Sequence, residues 1–539
     1  MSQSAIEIAR TAEIARNAAR FLIPEFVLLA TAMAIMTASA FTRQSRKVWC
    51  AIAAAAMLLA LGNVLTQGSI KTEAYGSVVL NDHLSGSARI VLLLTGLVIL
   101  GLAHEEPSDE RAGEFFGALL VINAGAMITA AANEIVLLFV GLELVSIPTY
   151  LILYLSRRHA ASREAAVKYF FLSLFASSLL LYGLGFLYGT TGLSNLKAIG
   201  YLLERLPGAP QPQLGLLAIV FILAGLTFRV AAVPLHFYAP DVYQGSPIVI
   251  AALLSWLPKA VGILAMARVL TGVFATKDPT DPLLQKAVIL CWVIAAATMV
   301  WGNFVALLQT NLKLFLAYSS IAHAGYLMVG ITAAFATDSR PGSLFAGTES
   351  ALFYLVAYAA MTLGVFGILS AVLADGRGVE TIDDLAGLGW ARPWTGLGLA
   401  VCLLSLAGIP PLAGFWAKFE VFTAAISATR RDGSGIFLLL AVVGMLSAAA
   451  GAFYYLRLVV IMYLVDAPSK TAFTLRGGWP VLGSAAACVV ATVGLGLFSS
   501  PVVEAARLAA QAALSRPAPP VAVADGDLAP RQFVRVAGD

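Results

Sequence analysis

Charge is the scarcest commodity in this chain. Of 539 residues only 12% are Asp, Glu, Lys or Arg, 60% fall in the apolar set, and the mean hydropathy is +0.86. Soluble domains carry roughly twice that share of charge, so an ordinary soluble fold is excluded. The net charge of +4 is small and scattered, which leaves no basic face for a nucleic acid. Cysteine is nearly missing as well. Cys50, Cys291, Cys402 and Cys488 stand alone in or beside apolar runs, with no CxxC and no Cys/His cluster. That spacing argues against iron–sulfur, zinc and haem-attachment sites, and such cysteines read as small buried hydrophobes. No cleavable signal pattern is expected either. The first twenty residues are amphipathic and carry both acids and arginines, with no A-x-A site before the first long apolar run.

What is present is a succession of long uncharged runs, each near the roughly 20 residues that a helix needs to cross a bilayer. They predict an all-α polytopic membrane protein of about fourteen transmembrane helices. The expected organisation is an N-terminal amphipathic segment over 1–20, a transmembrane domain over 21–500, and a tail over 501–539 that starts amphipathic and turns disordered after about Arg516. Two crossings, 214–243 and 394–425, are too long for one straight helix. The first contains Arg229, Pro234 and Pro240; the second contains Gly408, Pro410, Pro411, Gly414 and Lys418. Proline removes a backbone hydrogen bond, and a broken helix is tolerated in lipid only where protein or a wet cavity satisfies the freed groups. These would be helices seven and twelve. Being an odd number apart they run in opposite directions, which suggests two inverted five-helix repeats, about 114–274 and 284–465. Lys/Arg in the loops with Arg43, Arg46 and Lys47 and with Arg157, Arg158 and Arg163 place that side in the cytoplasm and both termini outside.

Charges inside the runs are the candidates for function, because each costs roughly 2.5–3.5 kcal/mol at mid-membrane even on lenient scales. Glu143 is central in its span, and Lys259 sits mid-span in Leu254-Ser-Trp-Leu-Pro-Lys-Ala-Val-Gly262. Arg229 precedes His236 by seven residues, one helical stripe if Pro234 did not interrupt it. Lys418 follows the second break. Lys168 and Lys313 lie nearer helix ends, where a lysine can also reach out to the interface. His323 shares a helix with Lys313. A desolvated lysine can gain or lose its proton as a neighbouring charge moves, so a row of lysines, a carboxylate, histidines and hydroxyls reads as a proton relay. Asp241 and Glu420 read as structural, and the tryptophans and tyrosines toward span ends as an aromatic belt.

Phe228-Arg-Val-Ala-Ala-Val-Pro-Leu-His-Phe-Tyr-Ala-Pro-Asp-Val-Tyr-Gln-Gly-Ser-Pro247 resembles the antiporter-like proton-translocating subunits of NADH:quinone oxidoreductase, respiratory complex I. Its Pro-Asp-Val-Tyr portion points to the subunit N branch rather than L or M. Gly141-Leu-Glu-Leu-Val-Ser-Ile-Pro148, Arg163-Glu-Ala-Ala-Val-Lys-Tyr169, Leu314–Tyr326 and Ser405–Lys418 follow in the family's order, and the likeness spans roughly residues 20–500. It implies fourteen helices with inverted repeats and a polar axis at mid-membrane. In that frame Glu143 matches the helix-five carboxylate, Lys259 the helix-eight lysine and Lys418 the helix-twelve lysine. Lys168, Lys313 and His323 match further relay positions. The resemblance also implies no redox cofactor in this chain, with NADH, FMN, iron–sulfur clusters and quinone handled by partner subunits. Subunits M and K are the expected neighbours, with lipid around them, in a bacterial inner membrane. One position departs from the pattern: where the family usually has a helix-seven lysine, this chain has Arg229. Arginine does not give up its proton in proteins, so Arg229 is expected to pair with Glu143, bidentately, as a fixed cation. The alternatives are a subunit of a multi-subunit cation/proton antiporter and a non-conducting membrane-arm scaffold.

Overall fold

In the computed structural model, residues 3–156, 160–205, 212–274, 281–337, 346–432, 435–466 and 472–515 are described. The tail expected to be disordered from 516, and Arg157 and Arg158 of the orientation argument, lie outside the described residues.

The chain is a stack of helices. An amphipathic α1 (Gln3–Phe21) leads into α2 (Ile23–Phe41), α3 (Arg46–Thr66), α4 (His83–Leu102), α5 (Ala112–Ala131), α6 (Ile135–Ser156) and α7 (Ala160–Thr191). The short α8 (Leu196–Arg205) precedes α9 (Pro212–Val230) and α10 (Tyr238–Gly245), the two pieces of the first interrupted crossing. Then come α11 (Ile248–Met266), a one-turn α12 (Gly272–Phe274), α13 (Pro282–Leu307), α14 (Leu312–Thr337), α15 (Gly347–Ala371) and the short α16 (Leu388–Ala391). The second interrupted crossing is α17 (Pro393–Ala407) with α18 (Ala413–Asp432), followed by α19 (Ile436–Leu464), α20 (Gly478–Leu497) and α21 (Ser500–Leu514). Thirteen helical stretches among the described residues are long and apolar enough to cross a membrane. α17, at 15 residues, is too short to do so alone and relies on α18 to complete the passage. The two over-long crossings expected from the sequence, 214–243 and 394–425, are occupied by α9 with α10 and by α17 with α18. A three-stranded sheet was not anticipated. β1 (Val372–Ala374) pairs with β2 (Arg377–Gly378) and with β3 (Phe473–Leu475), tying the loop after α15 to the one before α20.

Burial sorts the helices. Nearly every described residue of α11 and α15 is buried, and α5 and α14 come close, so these form the inner layer. α2, α3, α7, α19 and α20 are buried on one face only. With apolar side chains inside and out, such helices associate by close packing rather than by exclusion of water. Small residues serve this contact: a Cβ on Gly302 of α13 would lie 2.5 Å from the backbone of Ala322 on α14.

The two interruptions place the charges. α9 stops at Val230, where Ala231 adopts φ +58, and the chain turns through Val233 and Pro234 before α10. α17 stops at Gly408 with φ +91, a left-handed helix terminus that glycine adopts without penalty. Gly414, at the start of α18, allows the two halves to touch, since a Cβ there would overlap the carbonyl of Ser405. Arg229 is the penultimate residue of α9, and Lys418 lies in the second turn of α18, so each interruption carries a buried cation at its lip.

Candidate functional site

Arg229 is only 4% exposed, and its fork is divided. Nη2 lies 2.7 Å from Glu143 Oε1 on α6 and 3.1 Å from Ser177 Oγ on α7, while Nη1 donates to the carbonyl of Leu142 at 2.9 Å. The pair with Glu143 is therefore single-armed, not the bidentate contact expected from the sequence. The carbonyl one residue before Glu143 takes the second arm, because Arg229 meets α6 beside its backbone. Ser177 also donates to Glu143 Oε1 at 2.5 Å, so one carboxylate oxygen collects both donors. Glu143 itself is only partly covered, with its side chain 23% exposed.

Lys259 lies in α11, 1% exposed, and forms no side-chain hydrogen bond or ion pair among the described residues. Gly262, one turn further on, brings α11 against α9; a Cβ there would sit 3.3 Å from Arg229 Cβ. An inner-layer lysine without a counter-ion, close to a fixed cation, is the setting in which lysine works as a proton carrier rather than a structural pin.

His323 of α14 bridges two tyrosines. Nδ1 is 2.8 Å from the Tyr354 hydroxyl on α15 and Nε2 is 3.1 Å from the Tyr455 hydroxyl on α19. Tyr455 is bonded in turn to Ser319. One turn earlier on α14, Ser320 receives the Tyr358 hydroxyl of α15 at 2.9 Å and meets Tyr243 of α10 at 3.2 Å. The Tyr358 and His323 rings are 5.0 Å apart, and Tyr326 stands edge-on to His323 at 5.7 Å. Tyr326 is bonded through Asn303 to Tyr454. Both Lys259 and Lys418 lie within Coulombic range of His323.

Lys418 closes the row. Its Nζ donates to the carbonyls of Leu406 and Ala407, at 2.8 and 2.9 Å, and lies 5.3 Å above the Tyr326 ring. Those carbonyls are unpaired ends of α17, the negative pole of that helix, so a cation is favoured there. Hydrogen bonds thus join Tyr243 on one interrupted helix to Ser320 and Tyr358, and ring contacts continue the row through His323 and Tyr326 to Lys418 on the other.

The remaining candidates are placed elsewhere. Lys313 donates to the carbonyls of Gln244 and Ser246, at 2.9 and 2.8 Å, and so caps the C-terminal end of α10. Lys168 is 44% exposed and pairs with Asp241 at 2.7 Å and Glu164 at 2.9 Å, outside the buried row. A lysine that is free to hydrate has no desolvated charge to switch. His236 packs edge-on against Trp301 at 5.9 Å and makes no described contact with Arg229, because the turn through Pro234 rotates it off the α9 stripe.

Sequence reasoning missed several members. The tyrosines 326, 354, 358, 454 and 455 are fully inside. The signal was their spacing: Tyr354 and Tyr358 share a helical face, and Tyr326 follows His323 by one turn. Glu420, expected to be structural near a loop, is 2% exposed with Oε2 unpaired among the described residues. A second intramembrane ion pair, Arg89 with Glu25 at 2.7 Å, is sealed at 1% exposure on both sides. Arg268, two residues past the end of α11, forks onto Asp82 at 2.6 and 2.8 Å and onto the Ala130 carbonyl, pinning that segment to the start of α4 and the end of α5. Burial alone would raise the Asp82 carboxyl; Arg268 and the Ser85 amide outweigh it and hold it below the usual carboxylate range.

Residues 132–456 match the family described as NADH:quinone oxidoreductase/Mrp antiporter, TM. The NADH-quinone oxidoreductase subunit N of Paramagnetospirillum magneticum is 35% identical over 495 residues, covering 91% of this chain and 97% of that protein. Subunit N of Trichlorobacter lovleyi is 37% identical over 448 residues, 82% of this chain and 87% of that protein. Among solved structures, a chain of respiratory complex I from Thermus thermophilus superposes with a TM-score of 0.69 at 29% identity, covering 88% of this chain and 98% of that one.

Proposed function

This chain belongs to the NADH:quinone oxidoreductase/Mrp antiporter transmembrane family, and from that premise we propose how it moves protons. It is a proton-translocating, multi-pass membrane-arm subunit of NADH:quinone oxidoreductase, in the branch of subunit N. Protons are carried by Lys259, His323 and Lys418, with the tyrosine and serine hydroxyls and water between them. Glu143 is the carboxylate whose charge sets the first step, and Arg229 is the cation that holds it. Quinone reduction in partner subunits supplies the energy, and NADH, FMN, iron–sulfur clusters and quinone are handled there. Interrupted helices α9–α10 and α17–α18 are the equivalent elements of two inverted halves, each with a charge at its lip. Subunits M and K are the neighbours, and both termini face the periplasm.

The observation that carries this reading is the succession of hydrogen-bonded polar clusters, in ring contact with one another, between the two interruptions and through deeply buried helices. Fixing so many hydroxyls and an imidazole in a lipid-embedded core is costly unless each is bonded, and here they are bonded to one another. A scaffold has no use for such a route. The Pro-Asp-Val-Tyr segment together with Lys418 weighs for the oxidoreductase over a cation/proton antiporter.

Lys259→Ala tests the relay in the assembled complex. NADH oxidation and proton uptake are measured together in inverted membrane vesicles. Assembly should persist and protons per NADH should fall. Normal stoichiometry in a fully assembled variant would remove Lys259 from the path.

A further inference from the structure

We infer that Asn303 of α13 is a positioning residue for Lys418 and acts through Tyr326, holding the tyrosine so that its ring face, not its hydroxyl, is turned to the ammonium. The inference rests on the relay described above and narrows it by one hydroxyl. Asn303, Tyr326 and Tyr454 are all buried, at 1%, 1% and 3% exposure. Asn303 Nδ2 donates to the Met299 carbonyl one turn back on α13, at 2.8 Å, and to the Tyr326 hydroxyl oxygen at 3.1 Å. Its Oδ1 receives the Tyr454 hydroxyl of α19 at 3.0 Å. The amide has one orientation here. A backbone carbonyl only accepts, so it is the nitrogen that faces Met299, and the same nitrogen faces Tyr326.

That orientation decides what Tyr326 can do. A carboxamide nitrogen donates and does not accept, so a proton on the Tyr326 oxygen cannot pass on to Asn303. The branch from Tyr454 through Asn303 to Tyr326 is closed to protons and works as a tether. The ring face has a different neighbour. Lys418 Nζ stands over it, 5.3 Å from the centroid, where the negative face of the ring attracts a cation more strongly once water is excluded. Phe422, one turn after Lys418 on α18, meets the Tyr326 ring edge-on at 6.0 Å, and His323 does so at 5.7 Å from one turn back on α14. Held by its oxygen and walled by these rings, Tyr326 is a fixed surface for the ammonium rather than a station on the path.

The sequence prepares the tether with two glycine-led pairs, Gly302-Asn303 on α13 and Gly325-Tyr326 on α14. A Cβ on Gly325 would lie 2.7 Å from the Met299 backbone nitrogen, so a side chain there would push Tyr326 away from α13. On α19, a Cβ on Gly451 would reach to 3.0 Å from Asn303 Oδ1, three residues before Tyr454. With both approaches open, one short side chain joins three helices. Asparagine suits the position because it both donates and accepts without bringing a charge into a lipid-embedded core.

Asn303→Leu, Tyr326→Phe, Tyr326→Leu and the double variant Asn303→Leu with Tyr326→Phe test this in the intact complex. Proton uptake per NADH is read in inverted vesicles of assembled enzyme, and Lys418→Ala sets the scale. Tyr326→Leu removes the ring and should fall to the Lys418→Ala value. Tyr326→Phe keeps the ring, gives up only its tether, and should stay well above that value. Asn303→Leu should lower protons per NADH where Tyr326 is present and add no loss to Tyr326→Phe, because the two changes act through one contact. A Tyr326→Phe as defective as Tyr326→Leu overturns the inference, since the hydroxyl would then carry the proton. Additive losses, or wild-type pumping by Asn303→Leu, overturn it too, since Asn303 would then not act through Tyr326. If Asn303→Leu does not assemble, the comparison of Tyr326→Phe with Tyr326→Leu decides alone. Lys418→Ala separates the two claims. Should it lose pumping while Tyr326→Leu pumps as wild type does, the relay stands and the part given to Asn303 falls. Should Lys418→Ala pump normally, the relay itself fails at that station and the inference with it.

Discussion

Replacing Arg229 by methionine and by lysine separates a charge from a shape. The guanidinium makes three side-chain bonds, to Leu142 O, Glu143 Oε1 and Ser177 Oγ. Methionine fills similar space and makes none. Removing one partner of a fully buried ion pair costs about 3–5 kcal/mol, most of it the isolated charge left behind. Glu143 is partly covered rather than sealed, with 23% of its side chain exposed, so screening reduces this to about 2–3 kcal/mol. Lysine restores the charge but has a single nitrogen, which can serve Glu143 and one neighbour. The deficit is then a single hydrogen bond, about 1 kcal/mol. In vesicles normalised to NADH oxidation, Arg229→Met should assemble and show a large drop in protons per NADH, while Arg229→Lys should stay close to wild type or above it. Normal pumping by Arg229→Met would show that the pair does not gate the path. Loss of pumping in a well-assembled Arg229→Lys would show that the fork, not the charge, is what matters.

Two further outcomes bear on the frame around the site. Gly408→Ala forces a Cβ onto a backbone at φ +91 and to 3.0 Å from Lys418 Cδ, so thermal inactivation of the solubilised complex should reveal a loss of about 1–2 kcal/mol. Asp82→Asn weakens the Arg268 clamp. Because the folded carboxyl is held below its usual range, its contribution is complete at neutral pH and fades as pH falls through the folded value. The variant should thus inactivate at lower temperature than wild type at pH 7, with the gap narrowing below pH ~4; a gap independent of pH would count against the ion pair.

How much was legible beforehand depended on whether a residue's partner was fixed by its own helix. Lys418 and Gly408 are ten residues apart on one interrupted crossing, so composition and breaks alone were enough to expect a held charge. Glu143, Arg229 and Lys259 stood out because any charge in an apolar run is expensive. His323 was visible for the same reason, but its tyrosines were not. A tyrosine inside a helix is unremarkable in sequence, and only the packing of α14 against α15 and α19 turns Tyr354 and Tyr455 into its ligands. Arg89 and Glu25 lie on α4 and α2 in apolar surroundings and were discernible by the same cost argument, though their pairing was not. For His236 the seven-residue spacing from Arg229 holds only along a continuous helix, and Ala231 and Pro234 end it, the interruption the proline already signalled. The burial of Glu420 was not visible because its distance from a loop was counted along the chain, whereas α15 begins beside it. The β-strands, two or three residues long, are too short for any alternation to register.

The two carbonyls beneath Lys418 also sort its protons. An ammonium has three N–H bonds and a neutral amine has two. Leu406 and Ala407 engage two in either case, so the nitrogen keeps its place and the α17 terminus stays satisfied whether or not the side chain is charged. Only the third hydrogen, on the side of the Tyr326 ring, is left to come and go. If Lys418 carries protons as proposed, the cap is its anchor and the ring face its turnstile, and a single lysine performs both tasks without moving.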